Sequence, residues 1–400
     1  MVFVQALSAQ NFRNLAPLSC EFSPGLNWIL GDNGQGKTNL LESIYLLSNA
    51  RSHRAKNERE LIAHTANNAR ITAQVLMQQT GGHHVLEMTW ERPQTENGRL
   101  KTILKQNHQP LKSRSQLLGN CPSVSFFVTD LLLLRGQPED RRRWLDAAAA
   151  QYDRRHFQLV STFQKIRLQK AHLLREYLET GGASQDSLTH LAVWNDQFAE
   201  ASVRLMQSRQ HYLALIQDRV TCHYIDMAPH ETLSLSYHSS VMARVLDASA
   251  FDEDAFRQEL DKIQVQECRR GQCLIGPHRD DVQFFLNNQD ATAYGSQGQQ
   301  RSIVLALKLG EWDVLSGVLC EPPVLLLDDV MAELDPERQD HLIQRLAPEA
   351  QVFLTTTHID RRVQASLESH LGEGQSQHQK IQMQRGQVQC GALKLETAIS

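Results

Sequence analysis

The amino-acid sequence predicts an α/β fold: mixed sheets around one glycine-loop helix, with a helical arm inserted between two sheet-forming stretches. Three observations predict it. LNWIL at 26–30 runs into GDNGQGKTNL at 31–40, so a strand, a glycine-rich turn and a helix follow one another. Most of the first hundred residues otherwise alternate apolar and polar positions, as half-buried strands do. From about Asp130 to Ala228 glycine and proline thin out and apolar residues recur at helical spacing, and mixed character returns from about residue 270.

The elements follow in order. FVQALSAQNF is a short alternating strand, and in CEFSPGLNWILG the turn at Pro24 and Gly25 feeds a second. Leu40, Leu41, Ile44 and Leu47 fall on one helical face, so a helix begins near Lys37. ARITAQVLMQQ, HHVLEMTWER and RLKTILKQNHQPL are strands, joined as hairpins by GG and ENG turns. RRRWLDAAAAQYDRRHF, FQKIRLQKAHLLREYL and LAVWNDQFAEASVRLMQSRQHYLALIQDRV are helices, too short and irregular in heptad register for an extended coiled coil. GGASQDS at 181–187 reads as the connection between two of them, and SLSYHSS near 233 as a strand. YGSQGQQRSIVLALKLGEW reads as a loop entering an amphipathic helix carrying Ile303, Val304, Leu307 and Trp312. PPVLLLDD is a buried strand, MAELDPE a turn into a helix, QVFLTTTH a strand ending in His358, and Arg385-Gly386 the turn of a terminal hairpin. The expected organisation is one discontinuous domain, 1–125 with 270–400, and a mainly helical arm at 126–269.

Composition narrows the class. The 400 residues are 41% hydrophobic, enough for one large domain or two ordinary ones. Lys and Arg number 41 against 45 Asp and Glu, a formal charge of -4, so any nucleic-acid contact must come from local patches. Seven dispersed cysteines without a CxxC pair suit reduced thiols in the cytoplasm, and the CRRGQC spacing of Cys268 and Cys273 is too wide for a zinc knuckle. No apolar run is long enough for a signal sequence or a membrane span.

Gly31-Asp32-Asn33-Gly34-Gln35-Gly36-Lys37-Thr38 fits G-x-x-x-x-G-K-[ST] in the strand-to-helix context the motif requires. Its glycines let successive amides turn inward around an anion at a helix N-terminus. Lys37 reaches β- and γ-phosphate oxygens, and the Thr38 hydroxyl holds Mg²⁺, so ATP is the expected cofactor with Mg²⁺ as its metal. Asp328 and Asp329 end the buried LLLDD strand, where open α/β sheets bind ligands; Asp328 would hold the metal and Asp329 orient the attacking water. Taken alone, Ser296 is a helix cap and His358 a packed or solvated histidine.

The order of these segments carries further information. Phosphate loop, long helical gap, SQGQQ, LLLDD, AELD and a strand-end histidine resemble an ATPase of the ATP-binding-cassette type, in its SMC-like branch. GDNGQGKTNLLESIYLLSNARSHR, FFVTDLLLLRGQPEDRRRWLD, IGPHRDDVQFFLNN, YGSQGQQRSIVLALKL and LLLDDVMAELDPERQ resemble the RecF family of bacterial DNA repair proteins, from the N-terminus to about residue 360. That resemblance implies an ABC-type ATPase head whose first loop and the signature helix of a second copy sandwich ATP, giving an ATP-dependent homodimer. It implies a DNA-binding protein acting on single-stranded, double-stranded and gapped DNA with RecO and RecR. Support of RecA loading, replication restart and SOS induction, without membrane association, is implied too. By position, Asn33, Gly34, Gly36, Lys37 and Thr38 match Walker A, Asp328 and Asp329 Walker B, and Ser296, Gln297 and Gly298 the signature. Ala332 to Asp335 match the D-loop, His358 the switch histidine, and Arg13 with Asn14 a pair near the nucleotide; Gln74 is a Q-loop candidate.

Cassette ATPases usually carry glutamate where this chain has Asp329. One methylene less moves the carboxylate away from the water, and a misplacement of about 1 Å can cost on the order of 10²-fold in rate. A weak ATPase is therefore expected, with ATP clamping two subunits and its slow, DNA-stimulated hydrolysis timing release. Arg51 and Arg54, Arg135, Arg141 to Arg143, Arg154, Arg155, Arg167 and Lys170 are candidate contacts for DNA phosphates. A transporter ATPase would need a much shorter gap between loop and signature, and a structural SMC tether would need long heptads. A nuclease of the overcoming-lysogenisation type would need a further acidic metal domain, and a small-molecule kinase would lack SQGQQ.

Overall fold

Alternating burial and a run of β-branched and apolar residues make β1 (Val2–Gln10), whose register shifts once between Val4 and Ala6. The computed structural model describes all residues except 56, 80, 94–97, 181–184, 242–251, 347–349, 373–377 and 392–400. After β1 come β2 (Leu18–Glu21), β3 (Leu26–Leu30), α1 (Lys37–Asn49), β4 (Asn68–Met77), β5 (Gly82–Glu91), β6 (Lys101–Gln106), β7 (Gln109–Pro110) and β8 (Ser123–Phe127). The helical part follows: α2 (Pro138–Tyr152), α3 (Arg154–Glu179), α4 (Gln185–Met227), β9 (Leu233–His238), α5 (Glu253–Arg270), β10 (Asp281–Leu286), β11 (Gln289–Asp290) and α6 (Ala291–Tyr294). The chain ends through α7 (Gln297–Leu319), β12 (Val324–Asp328), α8 (Pro336–Arg345), β13 (Val352–Thr356), α9 (Arg361–Gly372), β14 (Gln379–Gln384) and β15 (Gln387–Gly391). Two units form, Met1–Leu131 with Arg301–Ser400 and Leu132–Gln300. The return to the first unit thus falls at 301 instead of the expected 270, because 270–300 complete a small sheet with β9.

The first unit contains two six-stranded sheets. One is antiparallel, in the order β2-β1-β4-β5-β6-β7. In the other, β15-β14-β3-β13-β12-β8, every neighbour pair is parallel except the terminal hairpin β14–β15. β3, β12 and β13 are buried along almost their whole length because both faces are covered, the pattern of a parallel sheet, with Asn27 of β3 and Thr355 of β13 hidden among the apolar residues. α1 packs against strands of both sheets, so its burial goes well beyond one apolar stripe: Glu42, Ser43 and Ser48 are as hidden as Leu40 and Ile44. Ser48 accepts a 2.8 Å hydrogen bond from Ser123 of β8, which satisfies both hydroxyls.

Two expectations change here. α7 is not amphipathic in its middle, since every residue from Ser302 to Gly310 is buried. It carries Lys308 inside because Asp130 and Glu311 flank the ammonium at 3.7 and 3.2 Å. His358 does not end a strand: β13 stops at Thr356, and His358 lies two residues further on, exposed, its carbonyl accepting from Thr356 Oγ1 at 2.7 Å.

In the second unit, the stretch RRRWLDAAAAQYDRRHF is two helices, broken at Asp153, whose side chain accepts from the Arg155 amide at 2.9 Å and starts α3. Of the expected 181–187 connection, 181–184 lie outside the described residues and 185–187 are the first turn of α4. The ENG turn likewise falls partly outside them, although β5 and β6 do pair antiparallel. At 43 residues α4 is far longer than the short helices expected. Phe163, Leu174, Leu191, Phe198, Phe256 and Leu260 form the core between α3, α4 and α5.

Candidate functional site

The site in the first unit begins with β3, whose five residues deliver the chain into the glycine loop at the C-terminal edge of the parallel sheet. Gly36 sits at φ 100, and a Cβ there would lie 2.8 Å from Leu15 Cδ2, so glycine alone fits at the entrance to α1. Lys37, buried at the first turn, donates to the carbonyls of Gly31 at 2.8 Å and Asp32 at 3.2 Å. Its ammonium also lies 3.9 Å from the Asp329 carboxylate. Asp32, Asn33 and Gly34 are exposed around it.

The distant aspartates arrive through strand order. β13 lies between β3 and β12, with Thr355 opposite both Asp328 and Ile29. Thr38 Oγ1 donates to Asp328 Oδ1 at 3.1 Å, and Thr355 Oγ1 donates to the same oxygen at 2.8 Å. Thr355 Oγ1 also accepts from the Asp329 amide at 2.9 Å, which holds Asp329 at φ 53, a left-handed conformation that an L-residue adopts only with support. Burial pushes the Asp328 carboxyl above its ordinary value; the Thr355 and Thr38 donors and the Lys37 charge pull against it, while the neighbouring Asp329 adds to the rise. The sequence carried no signal that singled out Thr355, since one threonine in a TTT run has no spacing of its own.

Arg13 and Asn14 part company. Asn14 Nδ2 donates to the Gly34 carbonyl at 3.1 Å and so touches the loop. Arg13 instead grips Glu42 on α1, with Nε and Nη2 at 3.0 and 2.8 Å from its two carboxylate oxygens. Arg54 donates to the same carboxylate at 2.8 Å, and Ser52 completes its shell. Burial raises the Glu42 carboxyl, but the Arg13 and Ser52 hydrogen bonds and the two guanidinium charges outweigh it and leave it below the ordinary range. Gln74 stands exposed in the middle of β4, and no hydrogen bond among the described residues joins it to the loop.

Ser296, Gln297 and Gly298 belong to the second unit. Ser296 Oγ accepts from the Gln299 amide at 3.2 Å and Gln299 Oε1 accepts from the Ser296 amide at 2.7 Å, a reciprocal cap that opens α7. Ahead of them Tyr294 is 78% exposed, more than any other large hydrophobic side chain among the described residues. In the D-loop segment, Ala332 and Glu333 lie in a 3-10 turn, and Asp335 caps α8 by accepting from the Arg338 amide at 3.0 Å.

Two of the arginine and lysine candidates for DNA contact are removed by burial. Arg141 is pinned to Asp281 by two hydrogen bonds of 2.8 Å, and Lys170, fully buried, pairs with Glu267 at 2.7 Å beside the Phe198 ring. The helices turn these two positions inward, which a cluster in the sequence does not reveal. Arg135, Arg143, Arg154 and Arg155 stay exposed, with Arg143 paired to Glu139 and Arg155 to Asp153.

The family model of the RecF/RecN/SMC N terminal domain matches residues 3–382. The DNA replication and repair protein RecF of Bacillus subtilis (strain 168) is 36% identical over 361 residues, 90% of this chain and 94% of the relative. RecF of Exiguobacterium sp. (strain ATCC BAA-1283 / AT1b) is 34% identical over 383 residues, covering 94% and 100%. Among solved structures, the recombination mediator protein RecF-ATP in the RecFOR pathway superposes with a TM-score of 0.84 at 28% identity, covering 98% of each chain. An SmcHead bound to the C-winged helix domain of ScpA, at 14% identity and a TM-score of 0.52 over 99% and 100%, shares the fold alone. A glycine loop, a capped SQG helix and two aspartates at a strand end, in that order, on an SMC-type ATPase head matched along nearly its whole length, make this chain a member of the RecF family.

Proposed function

We propose that the chain is an ATP-dependent DNA-binding protein of recombinational repair, whose two copies close around ATP. The observation that carries this reading is the oxygen cluster at the sheet edge: Thr38 and Asp328 share a 3.1 Å hydrogen bond next to the Lys37 ammonium. Hard oxygen donors of this kind suit Mg²⁺, and Thr38 with Asp328 would hold it, directly or through water. Bound there, the ion would neutralise charge on the β- and γ-phosphates. Lys37 exchanges its contacts to the Gly31 and Asp32 carbonyls for phosphate oxygens, and the loop amides take the rest. Asp329 orients the attacking water, from one methylene too far for fast turnover. Ser296, Gln297 and Gly298 of a second copy reach the γ-phosphate and complete the site, with the exposed His358 as the switch residue.

The solved RecF-ATP relative, described as part of the RecFOR pathway, supports ATP as the ligand and RecO and RecR as partners. On this reading the cytoplasmic dimer grips gapped, single-stranded or double-stranded DNA, assists RecA loading, replication restart and SOS induction, and lets go on slow hydrolysis.

Sedimentation with and without Mg-ATP, paired with gel shifts on gapped DNA, tests it. The parent protein dimerises only with ATP and binds DNA more tightly then. Lys37→Ala loses ATP binding and stays monomeric, whereas Ser296→Arg binds ATP as a monomer. Equal dimerisation without nucleotide overturns the proposal.

A further inference from the structure

Residues 379–386 carry no motif, yet they lie against β3 and the glycine loop. β14 pairs parallel with β3, placing Gln382 opposite Leu30, so Met383 to Gly386 run on beside Gly31 to Gly36. The Gly386 amide donates to the Gln35 carbonyl at 3.0 Å, and the Arg385 amide donates to Gln35 Oε1. Two consecutive amides of one hairpin turn therefore hold both acceptors of one loop residue. The Gly386 carbonyl accepts from the Ala16 amide at 3.0 Å, which ties in the segment carrying Asn14. Space is as tight as the hydrogen bonding. A Cβ on Gly31 would lie 2.4 Å from the Met383 carbonyl oxygen, and one on Gly386, at φ +75, would lie 2.3 Å from the Asn14 carbonyl oxygen.

A peptide unit is planar and trans, so its C=O and N–H point in opposite directions. Fixing the Gln35 carbonyl toward the hairpin aims the Gly36 N–H away from it, whereas the preceding Gln35 N–H donates to the Asp32 carbonyl at 3.4 Å within the loop. We propose that the Arg385-Gly386 turn is a positioning element of the phosphate site, setting from outside the Gln35–Gly36 peptide plane whose N–H receives the anion. This rests on reading the loop as a triphosphate site.

The test is calorimetry of Mg-ATP and Mg-ADP binding to the full chain carrying Gln35→Ala, Gly386→Ala or both, together with amide exchange in nucleotide-free protein. Gln35→Ala weakens both nucleotides about fivefold, the loss of one neutral hydrogen bond, and Gly386→Ala about tenfold or more. The double variant is no worse than Gly386→Ala alone, because both substitutions break one contact. Exchange over 33–37 quickens, a readout independent of any contact with nucleotide. A purely structural hairpin would lower the melting temperature and leave affinity and loop exchange unchanged, which overturns the proposal. Should Gly386→Ala fail to fold, loop exchange in Gln35→Ala decides. Wild-type affinity in both variants, with Lys37→Ala inactive in binding, refutes the hairpin's role alone; binding retained by Lys37→Ala refutes the triphosphate reading beneath it.

Discussion

Thr355→Val exchanges a hydroxyl for a methyl of nearly the same size and thereby removes two hydrogen bonds at the centre of the site. One is the 2.8 Å donation to the buried Asp328 carboxylate, and the other the 2.9 Å acceptance from the Asp329 amide. A hydrogen bond to a charged group contributes about 1.5–3 kcal/mol and a neutral one about 0.5–1.5, so the loss is roughly 2–4 kcal/mol of folding stability. The sign with pH follows from Asp328, whose folded pKa is raised above its ordinary value of 3.8. A raised carboxyl contributes stability below its unfolded pKa and loses it as pH rises through the folded one. Removing a donor to the charged form raises the folded pKa further, so the destabilisation is greater at pH 8 than at pH 5. Urea unfolding at the two pH values measures this. The same variant frees Asp329 from its left-handed conformation and slows ATP turnover without abolishing binding, read from steady-state rates and calorimetry. Equal stability of variant and parent at pH 8, or a larger loss at pH 5, refutes the reasoning.

Glu42→Gln leaves the Arg13 and Arg54 guanidinium groups facing a neutral amide. Breaking one partner of a buried charge set costs about 3–5 kcal/mol, visible in urea unfolding. His53, stacked 3.7 Å from the Phe127 ring, has its pKa pushed down by burial to about 4 from the ordinary 6.5. A depressed histidine contributes stability above 6.5 that is lost as pH falls toward 4, so the melting temperature drops across that window and His53→Phe flattens the drop. Lys170→Met strands the buried Glu267 carboxylate and destabilises the helical unit strongly, whereas Lys170→Met with Glu267→Leu recovers most of the loss; thermal unfolding of the single and double variants separates the two.

Local chemistry determined much of this protein from sequence alone. The strand–glycine loop–helix unit at 26–49 is legible because only glycine tolerates the loop's backbone and only a helix start offers free amides to an anion. Asp328 and Asp329 were legible because four apolar residues precede them, and the Arg385-Gly386 turn because a glycine sits between two alternating stretches. Tertiary structure decided the rest. Parallel strand order put Thr355 beside Ile29 as well as Asp328 and laid the terminal hairpin against Gln35; the pairings with Ile29 and Gln35 join residues hundreds of positions apart, which no periodicity encodes. Burial from several directions hid the middle of α7 and turned Arg141 and Lys170 inward. A one-dimensional pattern reports which residues share a face of an element, while what covers that face depends on elements elsewhere in the chain.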